Sequence, residues 1–131
     1  VQAGIVADIS AMIAKMGSSN LFLTYTVIVW ASVLLSAFID NIPYVAAMLP
    51  VVGGVGEALG IDVTVLYFGL LAGATLGGNL TPIGASANIA AAGILSKEGY
   101  TVSNREFMRI GVPFTLAAVV TGYILIWFLY V

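Results

Sequence analysis

The chain has 131 residues, 61% of them hydrophobic and 8% charged, with a net charge of −2 and a mean hydropathy of +1.12. Soluble domains run to about 45–50% apolar and about 25% charged residues, so this composition marks an integral membrane protein. Four Lys/Arg cannot build a basic groove for nucleic acid, and the absence of Cys and His removes disulfides, thiolate nucleophiles, zinc sites and imidazole acid–base chemistry. Val1 is not a start methionine and no basic leader follows it, so the chain reads as a piece of a longer polypeptide.

Residues 1–16 carry Ile5, Ile9, Met12 and Met16 at helical spacing, with Asp8 and Lys15 on other faces. The pattern predicts an amphipathic helix, too short and polar to cross and suited to the interface, the alternative being the end of a preceding spanning helix. Gly17 ends it, and Ser18-Ser19-Asn20 offers caps for the next helix. Residues 21–39 are apolar and long enough to cross a bilayer, whereas residues 44–52 are not. Between them, Asp40-Asn41-Ile42-Pro43 sets a carboxylate, a carboxamide and a helix-breaking proline in a stretch with no other charge from Lys15 to Glu57. An ionisable group in lipid is costly and faces a cavity or a partner, and a backbone break survives there only when buried in protein or lining water. Residue 40 either reaches the far surface after a full crossing or caps two arms that return to one side. The apolar run to Val52 and the glycine-rich loop 53–57 favour a re-entrant hairpin over 20–52, with Asp40 to Pro43 at its tip.

Asp62 offers a cap for a helix over 63–76, in which Gly69, Gly73 and Gly77 make one smooth face for close helix packing. Three glycines and a proline then fall in residues 77–84, and the apolar flanks 63–76 and 89–95 are each too short to span. Together they predict a single crossing, residues 62–96, interrupted in its middle. Ser103-Asn104-Arg105-Glu106 has the form of a capping box, opening a last spanning helix over 110–131 with Pro113 near its start and Trp127 and Tyr130 near the far interface. Three of the four basic residues lie in 97–109, which places that loop in the cytoplasm and the 53–62 loop and the C-terminus outside. The expected fold class is thus all-α and membrane-integral: a re-entrant hairpin, a discontinuous helix and one plain transmembrane helix.

Discontinuous helices expose half-helix ends and unwound carbonyls, the parts from which secondary transporters bind substrates and coupling ions. If the two interruptions meet near the midplane, Asp40, Asn41, Pro43, Gly78, Asn79, Thr81, Pro82, Gly84, Ser86 and Asn88 form the candidate substrate or ion site. Sodium suits the oxygens of Asp40, Asn41 and Asn79, a proton suits Asp40, and half-helix N-termini suit an anion. Against this stands the plainer reading that Asp40 is a static cap, that the asparagines close helix ends, and that the glycine face only packs. Neither a nucleophile–base pair nor a metal cluster is present to suggest an enzyme, and no cofactor beyond a coupling Na+ or H+ is expected.

Ser36-Ala37-Phe38-Ile39-Asp40-Asn41-Ile42-Pro43 together with Gly77-Gly78-Asn79-Leu80-Thr81-Pro82-Ile83-Gly84-Ala85-Ser86-Ala87-Asn88 resembles the ion transporter superfamily. The likeness is to its arsenite permease and P-protein branch, with citrate-transporter-like and sodium/proton antiporter relatives, and covers residues 1–131. It implies two inverted repeats, of which this chain is the C-terminal part of the second. Residues 1–16 are then the interfacial arm, 20–52 the hairpin, 62–96 the broken helix and 103–131 the interfacial turn and last helix. The implied partners are the lipid bilayer, the N-terminal repeat, a second copy in a homodimer and a small ion. Dicarboxylate carriers of the superfamily have Ser-Asn-Thr at the hairpin tip; Asp40-Asn41-Ile42 departs from that, and an acidic tip repels a dianion unless it is protonated or cation-paired. The leading expectation is an inorganic anion or metalloid oxyanion permease coupled to H+ or Na+ in the inner membrane. A Na+/H+ antiporter and a non-transporting membrane fragment or assembly subunit are the alternatives.

Overall fold

The computed structural model describes residues 2–17 and 20–131; Val1, Ser18, Ser19 and the side chains of Gln2, Ala3 and Met16, with the caps and contacts expected of them, lie outside the described set. Six helices follow in order: α1 (Gln2–Gly17), α2 (Leu21–Ser36), α3 (Asn41–Leu59), α4 (Thr64–Gly77), α5 (Ser86–Lys97) and α6 (Asn104–Tyr130). No strand occurs among the described residues.

Local chemistry opens these helices as expected. Asn20 Oδ1 accepts from the backbone N–H of Phe22 at 3.0 Å and of Leu23 at 3.4 Å. Ser103 and Glu106 form the capping box: Glu106 N donates to Ser103 Oγ at 3.2 Å and Ser103 N to Glu106 Oε2 at 3.0 Å. On α1, Ile5 and Met12 of the expected apolar stripe are exposed, while Ser10 turns inward onto α3.

Asp62 Oδ1 accepts from Thr64 N at 2.8 Å at the start of α4. Hydrogen bonds from the Thr64 side chain and then its backbone N–H hold the Asp62 carboxyl below the usual carboxylate range. A depressed folded pKa gives a contribution present above the ordinary carboxylate pKa and lost as pH falls through the folded one. Acidification is therefore expected to lower the protection of amides in the first turn of α4 relative to their intrinsic exchange rate at each pH, and Asp62→Ala to remove that pH dependence, as hydrogen-exchange mass spectrometry would show.

The hairpin differs from expectation in three ways. α2 stops at Ser36, three residues early, where Ala37 N and Phe38 N tighten onto the Leu35 carbonyl. Pro43 lies in the first turn of α3, where no backbone N–H is needed, so it begins a helix instead of breaking one, and the interruption is 37–40. α3 continues to Leu59 through the glycines expected as a loop. A Cβ on Gly54 would lie 2.7 Å from Ser10 Oγ, which donates to the Val51 carbonyl at 3.0 Å, and a Cβ on Gly56 would overlap the Val63 side chain. Those glycines serve close approach, and the turn falls at Gly60, left-handed at φ 64. The arm lengths invert accordingly: α3 has 19 residues and is long enough to cross, α2 has 16 and is not.

α4 is the central helix, packed on α2, α3 and α6. Its small-residue face is a seam against α2: a Cβ would lie 2.7 Å from the Tyr25 ring at Gly69, 2.6 Å from the Val29 carbonyl oxygen at Gly73 and 2.5 Å from that of Val33 at Gly77. Buried Tyr25, Ile28, Val29, Val33, Val52, Val55, Leu66, Leu70 and Val119 fill the space around it. α6 runs antiparallel to α2 and α4. Tyr25 donates to the Tyr123 carbonyl at 2.9 Å, the Phe22 and Trp127 rings meet edge-on at 4.9 Å, and Phe68 stacks on Tyr130 at 4.5 Å. The start of α2, the end of α3, the start of α4 and the end of α6 thus gather at one end of the bundle, and the two interruptions at the other. α5 projects past them and buries none of its residues.

Candidate ion-binding site

The turn 37–40 and the segment 78–85 meet through the side chains around them. Asp40 is the N-cap of α3, with Oδ1 accepting from Ile42 N at 3.3 Å. Its Oδ2 accepts from Ser86 N, the first residue of α5, at 3.0 Å, and from the Ser86 hydroxyl. One carboxylate therefore closes the N-termini of two helices, both of which present positive dipole ends to it. Its partners are two backbone N–H groups and a hydroxyl, none of them a basic side chain.

Behind Asp40 the tip is knitted into the break. Thr81, buried, donates to the Ala37 carbonyl. Both amide hydrogens of Asn88 are used on unwound carbonyls, Gly78 O at 2.9 Å and Thr81 O at 3.1 Å. Gly84 is buried against three carbonyl oxygens; a Cβ there would lie 2.5 Å from Gly78 O, 2.9 Å from Ala37 O and 3.0 Å from Ser36 O. Asn41 lies over Gly78, whose Cβ would come 2.6 Å from Asn41 Oδ1. Gly78 and Gly84 are glycines because backbone carbonyls and, at Gly78, the Asn41 amide occupy the space a methyl group needs.

Ser36, which sequence reasoning did not single out, completes the arrangement. Its buried Oγ lies 2.7 Å from Asn41 Oδ1 and 2.5 Å from the Ala74 carbonyl oxygen. A hydroxyl carries one proton, so it donates to one neighbour and must accept from the other. A carbonyl cannot donate, but an amide turned over can. Proton balance thus sends the Ser36 proton to Ala74 and directs Asn41 Nδ2 at Ser36, which leaves Asn41 Oδ1 free to accept from another donor. A lone serine in an apolar helix carries no local signal of such a role.

Among the expected site residues the structure joins Asp40, Asn41, Gly78, Thr81, Gly84, Ser86 and Asn88. Asn79 lines a groove of about 660 Å³ on the α6 side, with Asn88, Phe107, Ile110, Gly111 and Phe114, apart from the bonds that tie Asp40 and Asn41 to their partners. Pro43 is exposed on α3, and Pro82 makes no hydrogen bond with the tip. The break lies against α6 at Gly111, where a Cβ would be 2.6 Å from the Asn79 carbonyl oxygen. From there to Tyr130 is roughly 28 Å along α6, so the break sits toward the α6 N-terminus, not at mid-helix.

Two interrupted helical elements, joined by a carboxylate within an apolar helical bundle, are the architecture of a helical membrane protein. The sequence model of the citrate transporter family matches residues 1–131, and the chain belongs to that family. It is 39% identical over 121 residues to the P protein of Homo sapiens, covering 89% of this chain and 14% of that protein. It is 36% identical over 132 residues to an uncharacterized transporter of Mycobacterium tuberculosis, covering 99% and 31%, and 34% identical over 144 residues to one of Synechocystis, covering 97% and 32%. The chain thus spans between a seventh and a third of the length of these relatives. No solved structure matches it. Family and relatives point to transport and not to catalysis.

Proposed function

We propose that this chain is the ion-binding part of the second repeat of a secondary active transporter that carries an inorganic anion or metalloid oxyanion together with H+ or Na+. The observation that carries the reading is Asp40 at the junction of two helix N-termini with no basic partner. Protonation of Asp40 weakens its hold on Ser86 N and Ile42 N and turns two helix N-termini toward an incoming anion. Anion and proton then bind together because they share the same N–H groups. A sodium ion on Asp40, the freed Asn41 Oδ1 and the carbonyls about Gly84 neutralises the carboxylate by another route. The N-terminal repeat supplies the other half of the chamber, in a protein placed as a homodimer in the inner membrane with the 97–109 loop cytoplasmic. If α6 spans the bilayer, the chamber lies nearer that loop than the midplane.

The same observation favours a second reading. The positive helix ends that would hold an anion are already satisfied by Asp40, which suits a Na+/H+ antiporter whose exchanged ion rides on the carboxylate itself. Flux into proteoliposomes separates the two. Uptake of arsenite or of carboxylates, citrate included, that rises with an inward proton or sodium gradient supports the permease. Sodium-driven proton movement without added anion supports the antiporter. No flux of any of these ions would leave the chain a structural fragment or assembly subunit and overturn both.

A further inference from the structure

The two arms of the hairpin are packed on α4 more than on each other: α4 lies against both α2 and α3, which make few close backbone approaches between themselves. Two side-chain hydrogen bonds cross from α3 to α2 among the described residues. One is the contact of Asn41 with Ser36 at 2.7 Å. The other lies one turn further from the tip, where the Tyr44 hydroxyl donates to Ser32 Oγ at 3.1 Å. Tyr44 and Ser32 are both buried, and the Tyr44 ring belongs to the apolar core.

Local spacing makes the two contacts a pair. Asn41 and Tyr44 are three apart in the first turn of α3, and Ser32 and Ser36 four apart on α2, so each pair shares one helix face. A helix end held at one point can roll about it; held at two, it cannot. Both serines are themselves fixed on α4. Ser32 Cβ sits in the room that Gly73 leaves, 2.9 Å from where a Cβ on that glycine would lie, and Ser36 Oγ is 2.5 Å from the Ala74 carbonyl oxygen. We propose that Tyr44 is a positioning residue: its hydroxyl, held by Ser32, sets the roll of α3 that stands the Asn41 amide over Gly78 and against Ser36. The tie rests on the structure alone; its consequence for ion affinity rests on the transport reading.

Tyr44→Phe removes the hydroxyl and keeps the ring; Ser32 can then turn its proton to the Ile28 carbonyl four residues back, as helical serines do. Ser32→Ala does the opposite and leaves a buried phenol without its acceptor. Amide exchange in peptides covering 38–46 is expected to quicken about three- to tenfold in Tyr44→Phe and further in Ser32→Ala, with peptides from α6 at the wild-type rate. The double variant should fall back to the level of Tyr44→Phe, since no stranded group remains. In proteoliposomes, half-saturation for whichever of arsenite, citrate and sodium the wild type moves should rise by a similar factor in Tyr44→Phe at unchanged maximal flux. In an Asn41→Ala background Tyr44→Phe should add nothing to it. A ring that only fills the core would leave exchange and half-saturation at wild type in Tyr44→Phe, and that result overturns the proposal. So does an effect on half-saturation that persists in full without the Asn41 amide. If the wild type moves none of the three ions, the transport reading falls, and the exchange series decides whether Tyr44 holds the turn.

Discussion

Asp40→Asn is expected to lower coupled flux by roughly tenfold or more, because a single carboxylate is asked to accept from donors on two helices. Asparagine offers one acceptor oxygen. Its amide nitrogen must face either Ile42 N or the Ser86 donors, donor against donor, so one helix N-terminus is released whichever way the amide turns. Any residual flux should lose its dependence on the proton or sodium gradient, since no titratable or charged oxygen remains at the junction. Ser86→Ala is the informative companion. It removes the hydroxyl but leaves Ser86 N in place, and should weaken ion binding while preserving the gradient dependence. If Asp40 is only a cap, Asp40→Asn lowers thermal stability and leaves the ion dependence of flux as it was; that outcome in proteoliposomes removes the coupling role.

Gly77→Ala and Gly73→Ala are expected to destabilise the protein by about 1–3 kcal/mol each, the range for forcing an atom into a filled interface. In an ordinary helix interior the same change stabilises by up to about 1 kcal/mol, so the sign itself is diagnostic. At Gly77 the new methyl group meets Val33 carbonyl oxygen at 2.5 Å and Val33 Cα at 2.7 Å, and at Gly73 it meets Val29 carbonyl oxygen at 2.6 Å. These are backbone atoms of α2, which cannot rotate aside, so the helices must separate along the seam that holds the hairpin tip against the break. Gly93→Ala on α5, with nothing within 4 Å of the added carbon, should be neutral or stabilising. Thermal unfolding in detergent checks the series: Gly77→Ala melting with Gly93→Ala would mean that the α2–α4 seam is not close-packed.

The parts of the fold legible in the residues are those set by near neighbours in the chain. The apolar composition, the caps at Asn20, Asp62 and Ser103, the glycine face of α4 and the interruption near residues 78–85 all depend on groups within a helical turn of one another, or on bulk hydropathy. The glycines at 53–56 misled for the same reason. Judged locally they end a helix, yet α1 and Val63 need the room they leave, and the helix runs on. Pro43, read as a helix breaker, misled because a proline breaks a helix in its interior and favours one in its first turn.

Most of the residues that the structure brings together around Asp40 stood out in the sequence, since a carboxylate, amides and helix breakers are conspicuous in an apolar run. Their partners were another matter. That Asp40 closes α5 as well as α3, that Ser36 meets Asn41, and that Asn79 faces α6 are long-range facts. Each depends on how far one helix is rotated and slid against another, which is decided by where glycine lets two backbones touch and not by any signal carried within a single turn.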